Sequence, residues 1–226
     1  MANTGFSAPS ATGFPSVTGL TPKSSEAGKS SQLATALNSD GDIAAHDVYG
    51  ETEAPSCEFI VTDEVDLSDI ELGEVNGGIM LTQIVVTTQA GQMPTVTMQG
   101  QKIESGGTAQ RTYAISGTIL PRSKAQDVAG AFSSSTTLTA CTTTYRVEPH
   151  FADLKGEHKA SDCSDGRIEA QGTWTCPSGA TTPTAGSNFT ITGAATNSNP
   201  DSDYVTVTAT ATKFIEGTEA SAGSGD

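Results

Sequence analysis

Three histidines, four cysteines and 26 acidic residues are the side chains of this sequence with chemistry to offer. Nucleophilic catalysis needs a Ser or Cys within reach of a His that a carboxylate orients. His46, His150 and His158 stand in no nucleophile-elbow or cysteine-protease pattern. A zinc site needs closely paired ligands, and His150, His158, Cys163 and Cys176 lack the usual Cys-x2-4-Cys spacing. These histidines read as surface-loop residues. Asn38-Ser39-Asp40-Gly41-Asp42 has calcium-loop residue types without the downstream bidentate Glu, so it reads as a turn. Asn76-Gly77-Gly78 and Ser105-Gly106-Gly107 open no helix and no lysine follows in register, so they read as hairpin turns, not phosphate loops. Carboxylates for a glycosidase are plentiful, but an aromatic content of 5% argues against a sugar-binding cleft. The expectation is a protein that is not an enzyme, with no catalytic residue, metal site or cofactor.

The cysteines are Cys57, Cys141, Cys163 and Cys176. In a reducing compartment thiols are the default. A Cys163–Cys176 bridge across an Asp165-Gly166 turn is the alternative.

A net charge of −15 argues against affinity for nucleic acid or anionic membranes, both of which need clustered Lys and Arg. The charge is uneven. Residues 51–75 hold Glu51, Glu53, Glu58, Asp63, Glu64, Asp66, Asp69, Glu71 and Glu74 with no Lys or Arg. Glu64, Asp66, Asp69 and Glu71 mark an acidic surface. One reading is a solvated face that keeps the protein soluble. The other is an acidic wall, either the repulsive lining of a nucleic-acid conduit or a cation site. The start lacks a basic and apolar leader, and no run approaches the ~18 apolar residues of a membrane span. Residence in the cytoplasm, or export without a cleaved signal, is expected.

The elements that must position these groups read as strands. Gly78 to Leu120 holds three period-2 runs rich in Val, Ile and Thr, separated by Gly-containing turns, which predicts a β-meander. Residues 32–50 read as a hairpin turning at Asp40-Gly41. Cys57 to Val61, 136–147, Arg167 to Cys176, Phe189 to Thr192 and Asp203 to Ile215 read as further strands, the last closing the sheet. Asp63 to Glu74 reads as an edge strand or an irregular helical turn. Ser123 to Phe132 predicts one helix. Ser123 and Gln126 suit a capping box, and Ala125, Val128, Ala129 and Phe132 form an apolar stripe at i, i+3, i+4 and i+7. Val128 and Phe132 should dock that helix on the sheet, with Lys124 and Asp127 facing outward. The result is an all-β, mainly antiparallel sandwich or barrel with one short flanking α-helix and extended terminal arms.

Residues 1–31 form an extended N-terminal arm, 32–215 the domain, and 216–226 a flexible acidic tail. The arm alone buries too little apolar surface to offset the entropy of ordering. A neighbouring subunit is its natural dock, with Phe6, Phe14, Val17 and Leu20 as anchors and Pro9, Pro15 and Pro22 as stiffeners.

The stretches YGETEAPSCEFIVTD, LGEVNGGIMLTQIVVTTQ, TVTMQGQKIE and DYVTVTATATKFIE, with the single helix and the arms, resemble virion structural proteins of tailed bacteriophages, most of all the tail-tube class. The resemblance covers roughly residues 33–215 and is architectural, so no site residues carry over. It implies a β-sandwich or barrel with long hairpins and arms that lock adjacent rings. It implies a subunit that self-assembles into rings or a tube, with an acidic conduit for DNA as passing, unbound cargo. Its partners would be itself and other virion proteins, with no membrane, in a virion assembled in the host cytoplasm. A capsid decoration or head–tail joining protein is the alternative on the same resemblance. A decoration module predicts a trimer or monomer that adds to a preformed lattice, and a carboxylate hydrolase predicts a monomer with a pocket.

Overall fold

Eight long strands carry the fold: β1 (Leu20–Leu37), β2 (Ile43–Val61), β3 (Ile79–Gln89), β4 (Thr95–Lys102), β5 (Leu138–Phe151), β6 (Ala160–Pro177), β7 (Thr190–Ser198) and β8 (Tyr204–Phe214). The computed structural model describes residues 13–37, 43–103, 111–151, 160–178, 182–198 and 203–219. For 30–37, 43–52, 151 and 160–162 it describes the backbone alone. Phe6, the 38–42 turn, Ser105-Gly106-Gly107, His158 and the tail beyond Glu219 lie outside the described residues.

The strands form one antiparallel sheet in the order β1-β2-β4-β3-β5-β6-β8-β7. That order is four sequence-adjacent hairpins laid side by side. The chain between one hairpin and the next crosses a single face of the sheet and becomes the second layer of a sandwich. In that layer Val65–Asp66 pairs with Thr118–Ile119, Glu71–Leu72 with Arg111–Ala114, and Phe132–Ser133 with Thr184–Ala185. Thr218–Glu219 returns to pair with Arg111–Ala114.

Strict alternation puts one face of each strand into the core. Phe59, Val96, Val86, Thr143, Ala170 and Ala211 stand opposite one another in a row across six strands. The covering layer answers with Val65, Leu67, Ile70, Leu72, Tyr113, Ile115 and Ile119, all buried. Each such side chain contributes about 1.5–3 kcal/mol on burial. Trp174, Cys176, Val207 and Ala209 form a second cluster at one end.

Five sequence expectations change here, the second and third of them together. The first is the helix: Ser123 to Phe132 is a series of bends and turns, and the helical turn among the described residues is the 3-10 turn Leu67–Asp69. Polar side chains outbid the helical backbone bonds. Gln126 grips Leu120 by both its amide N–H (3.0 Å) and its carbonyl (2.8 Å) instead of closing a capping box. Asp127 turns inward, and its carboxylate accepts from the N–H groups of Ala131 (3.0 Å) and Phe132 (2.8 Å). Gly130 sits at φ +64°. Val128 is still buried, and Phe132 packs edge-on to Trp174 at 5.0 Å and 83°.

Second, the meander has two legs in the main sheet, not three. β4 lies between β3 and β2, while the third run joins the covering layer through Arg111–Ala114 and Thr118–Ile119. Likewise Asp203 to Ile215 does not close the sheet, because β8 lies between β6 and β7. Fourth, Cys163 and Cys176 sit on the same strand, β6, thirteen residues apart. At ~3.3 Å per residue they cannot meet. Asp165-Gly166 is no turn but a bulge in β6, where Arg146 faces Arg167 and Glu148 faces Ser164, with Asp165 at φ 55°. Fifth, the chain enters the sheet at Leu20, so the expected arm is strand from there on.

Gly186 shows how tightly the two segments of the covering layer that carry Phe132–Ser133 and Thr184–Ala185 approach each other. A Cβ there would collide with the backbone carbonyl of Gly130, which cannot swing aside. Gly186→Ala is expected to lower stability by about 1–3 kcal/mol, read as a fall in the thermal midpoint. An unchanged midpoint would contradict the packing.

Candidate functional site

The residues expected to matter fall into three places. Phe14, Val17 and Leu20 do not await a neighbour. Phe14 is buried in this chain's own core, and Val17 and Leu20 pack against it. A Cβ on Gly13 (φ +89°) would strike the Ile79 side chain, and one on Gly77 would come within 3.3 Å of Gly13 Cα.

Glu64, Asp66, Asp69 and Glu71 are all exposed on the covering layer, on the far side of the core from the open face of the main sheet. Their backbone is fixed. Asp66 caps the 3-10 turn by accepting from the Ser68 N–H at 2.9 Å, and these bonds from Ser68 hold its carboxyl below the usual range. Asp63 accepts from the N–H of Glu64 at 2.8 Å. Among the described residues no Lys or Arg forms an ion pair with this run.

The uncovered face of the sheet is hydroxyl-rich. Thr95, Thr87 and Thr142 share one row with Gln171 and Thr210, and Thr97, Thr144 and Thr212 share the next with Glu169. Its cations are engaged. Arg146 meets Glu169 at 2.9 Å, Arg167 reaches Asp165, Glu169 and Glu148 at 3.4–3.6 Å, and Lys23 meets Glu58 at 2.9 Å. An open depression of about 450 Å³ lies here, lined by Ser24, Ser25, Glu26, Ser56, Glu58 and Thr97. No aromatic ring lines it, so it offers no platform for a sugar or an apolar ligand.

The sheet also ends openly. β7 presents TITGAATNS, a nine-residue edge without charge or proline, in which only Ile191 is partly buried. The other edge, β1, carries Pro22, Lys23, Glu26 and Lys29. Below Glu53, among the described residues, β1 and β2 pair only with each other, from Ser30↔Thr52 to Leu37↔Ile43. Eight residues of β1 at ~3.3 Å each make a two-stranded ribbon of about 26 Å.

No known protein family matches this chain, and no curated protein matches it. Function therefore rests on the surfaces themselves.

The remaining chemistry is quiet. His150 hydrogen-bonds Ser164 Oγ, and no three His, Cys, Asp or Glu among the described residues are placed to hold a metal ion. Burial first, then the nearby Asp127 carboxylate, push the Cys141 thiol from 9.0 up to about 12, against a weaker opposing bond from Thr143. Tyr145, buried with its hydroxyl donating to Ser116 O, is pushed up by the same two causes. The unfolded chain ionises these groups first. Their contribution is intact below pH 9 and is lost as pH climbs towards about 12. Stability should fall by about 1.4 kcal/mol per pH unit for Cys141 above its ordinary value. Urea midpoints from pH 8 to pH 11 test this, and a flat profile would refute the burial argument.

Two functional features escaped the sequence reading. The length of the ribbon was hidden because its strands were divided between an arm and a short hairpin. Arg122 and Lys124, exposed on the bend before Gln126, carried no signal beyond being two cations near each other.

Proposed function

We propose that this chain is a structural subunit that self-assembles edge to edge into rings or a tube of a phage tail, with DNA as passing cargo. The virion class follows from the resemblance of its strands. The observation that carries the assembly reading is the ribbon of β1 and β2. A lone two-stranded hairpin is marginal in water, so about 26 Å of it beyond the sheet is best explained by a neighbouring copy that covers it. The β7 edge supports the same reading: it lacks the charge and proline that normally guard exposed edges in monomers, and its register is interrupted once, between Ile191 and Gly193. Joining β7 of one copy to β1 of the next continues the sheet, and a repeated heterologous contact closes a ring or grows a tube.

On this reading the conduit is lined by the uncovered face. Glu26, Glu58, Glu148, Asp165 and Glu169 stand there against Lys23, Arg146 and Arg167, each of which is already ion-paired. A lining of hydroxyls and excess carboxylate gives phosphates no counterion-releasing contact, so DNA slides. The acidic run of the covering layer then faces outward.

The test is mass by light scattering with negative-stain images. Rings or tubes with a central hole are expected for the full chain. A variant with residues 31–51 replaced by Asn-Gly should stay folded and remain a monomer. A full chain that is monomeric at high concentration would overturn self-assembly and favour addition to preformed capsids.

A further inference from the structure

We infer that the corner carrying Arg122, Lys124 and Met93 docks on the acidic run from Glu64 to Glu71 of a second copy of this chain. The inference rests on the self-assembly reading and names a contact additional to the sheet edges.

The cations of this chain are scarce, 11 Lys and Arg against 26 Asp and Glu. Among the described residues nearly all are spent within the chain. Lys23, Lys29, Lys102, Arg111, Arg146 and Arg167 each lie within 2.9–3.6 Å of a carboxylate oxygen. Lys213 stands over the Phe189 ring at 5.8 Å. Arg122 and Lys124 are exposed and form no ion pair among the described residues. In a chain of net charge −15, two cations two residues apart that pair with no carboxylate, together with an acidic run that pairs with no cation among the described residues, are the pattern of a contact completed between copies.

The corner is built to be rigid. Arg122 N donates to Leu120 O and Lys124 N donates to Arg122 O, both at 2.8 Å. Gln126, buried, holds Leu120 from both sides, and its own N–H donates to Thr88 Oγ1 at 2.9 Å. Gly91 N donates to Ser123 O at 3.0 Å, which ties the corner to the β3–β4 turn. That turn carries Met93, 41% exposed and one of three large apolar side chains left open to solvent among the described residues. A backbone ordered before docking loses little entropy on docking. The acidic side is equally fixed, through the Asp66 cap and the pairing of Glu71 with Ala114.

Charge reversal tests the contact. The double variants Arg122→Glu/Lys124→Glu and Asp69→Lys/Glu71→Lys should each weaken assembly of the full chain at least about tenfold. Mixing the two variants should restore it. Both alter exposed side chains only, and unchanged thermal midpoints would confirm that folding is intact. Arg122→Gln/Lys124→Gln should give an intermediate loss. Reversal variants that assemble like the parent would overturn the contact while leaving self-assembly standing. A parent chain that stays monomeric would overturn both. A basic corner that binds a DNA duplex in fluorescence anisotropy, with assembly unaffected by its reversal, would assign it to phosphate and overturn the inference.

Discussion

Trp174→Ala is expected to cost about 3–5 kcal/mol, the largest loss of any single truncation in this fold. Trp174 is 2% exposed and stands edge-on to Phe132 at 5.0 Å. Its indole lies over Gly172 of the same strand, where any Cβ would strike the ring. One side chain therefore fills the space between β6 and the start of the Phe132–Ser133 strand, and joins Val207 and Cys176 into a cluster of their own. Removing it leaves a cavity that a sheet of small residues cannot collapse to fill. Trp174→Phe should recover more than half of the loss. Urea unfolding followed by far-ultraviolet circular dichroism reads both, since the fluorophore itself is removed. A loss under about 1 kcal/mol for the alanine variant would mean that the cluster is not cooperative with the main core.

Asp127→Ala is expected to cost about 2–4 kcal/mol, because it strands two backbone donors at once. Ala131 is fully buried and Phe132 half-buried, and their N–H groups have the Asp127 carboxylate as acceptor. Asp127→Asn keeps one acceptor oxygen and should lose about half as much. The asparagine variant has a second signature. The Asp127 charge helps to push Cys141 and Tyr145 upward. Removing it should bring both folded values down, so the alkaline fall in stability starts at the same pH, ends at a lower pH and is smaller in total, and the two profiles can be compared directly. An alanine variant as stable as the parent would show that solvent reaches the two donors.

These residues also explain what was legible in the chain. The long strands were, because Val, Ile and Thr alternate through Ile79 to Gln89 and Tyr204 to Phe214, and such runs have one stable disposition on a half-buried sheet. The bends from Ser123 to Phe132 were not. Their apolar spacing is helical, but Gln126 and Asp127 have side chains that bind nearby backbone as readily as a helix would, and only the position of Leu120 decides between them. Strand neighbours were illegible for a different reason. Local alternation specifies a hairpin, whereas the choice of β2 beside β4 depends on contacts between residues some 40 apart, such as Phe59 and Val96. The candidate surfaces were half visible. The acidic run from Glu64 to Glu71 was plain in composition. Its position on the covering layer, opposite the hydroxyl-rich face, required the fold, as did the isolation of Arg122 and Lys124.

The side-by-side hairpins have a consequence for biosynthesis. Each hairpin adds to the flank of the one made before it, so the order in which strands leave the ribosome is also their order across the sheet, hairpin by hairpin. No strand has to be threaded between two that are already paired. At every stage the nascent chain exposes one growing flank, and the following crossover segment arrives in time to roof the apolar face just laid down. The β7 flank is then the last to be finished, so on the proposed assembly the edge that would join a second copy appears only once β8 is paired.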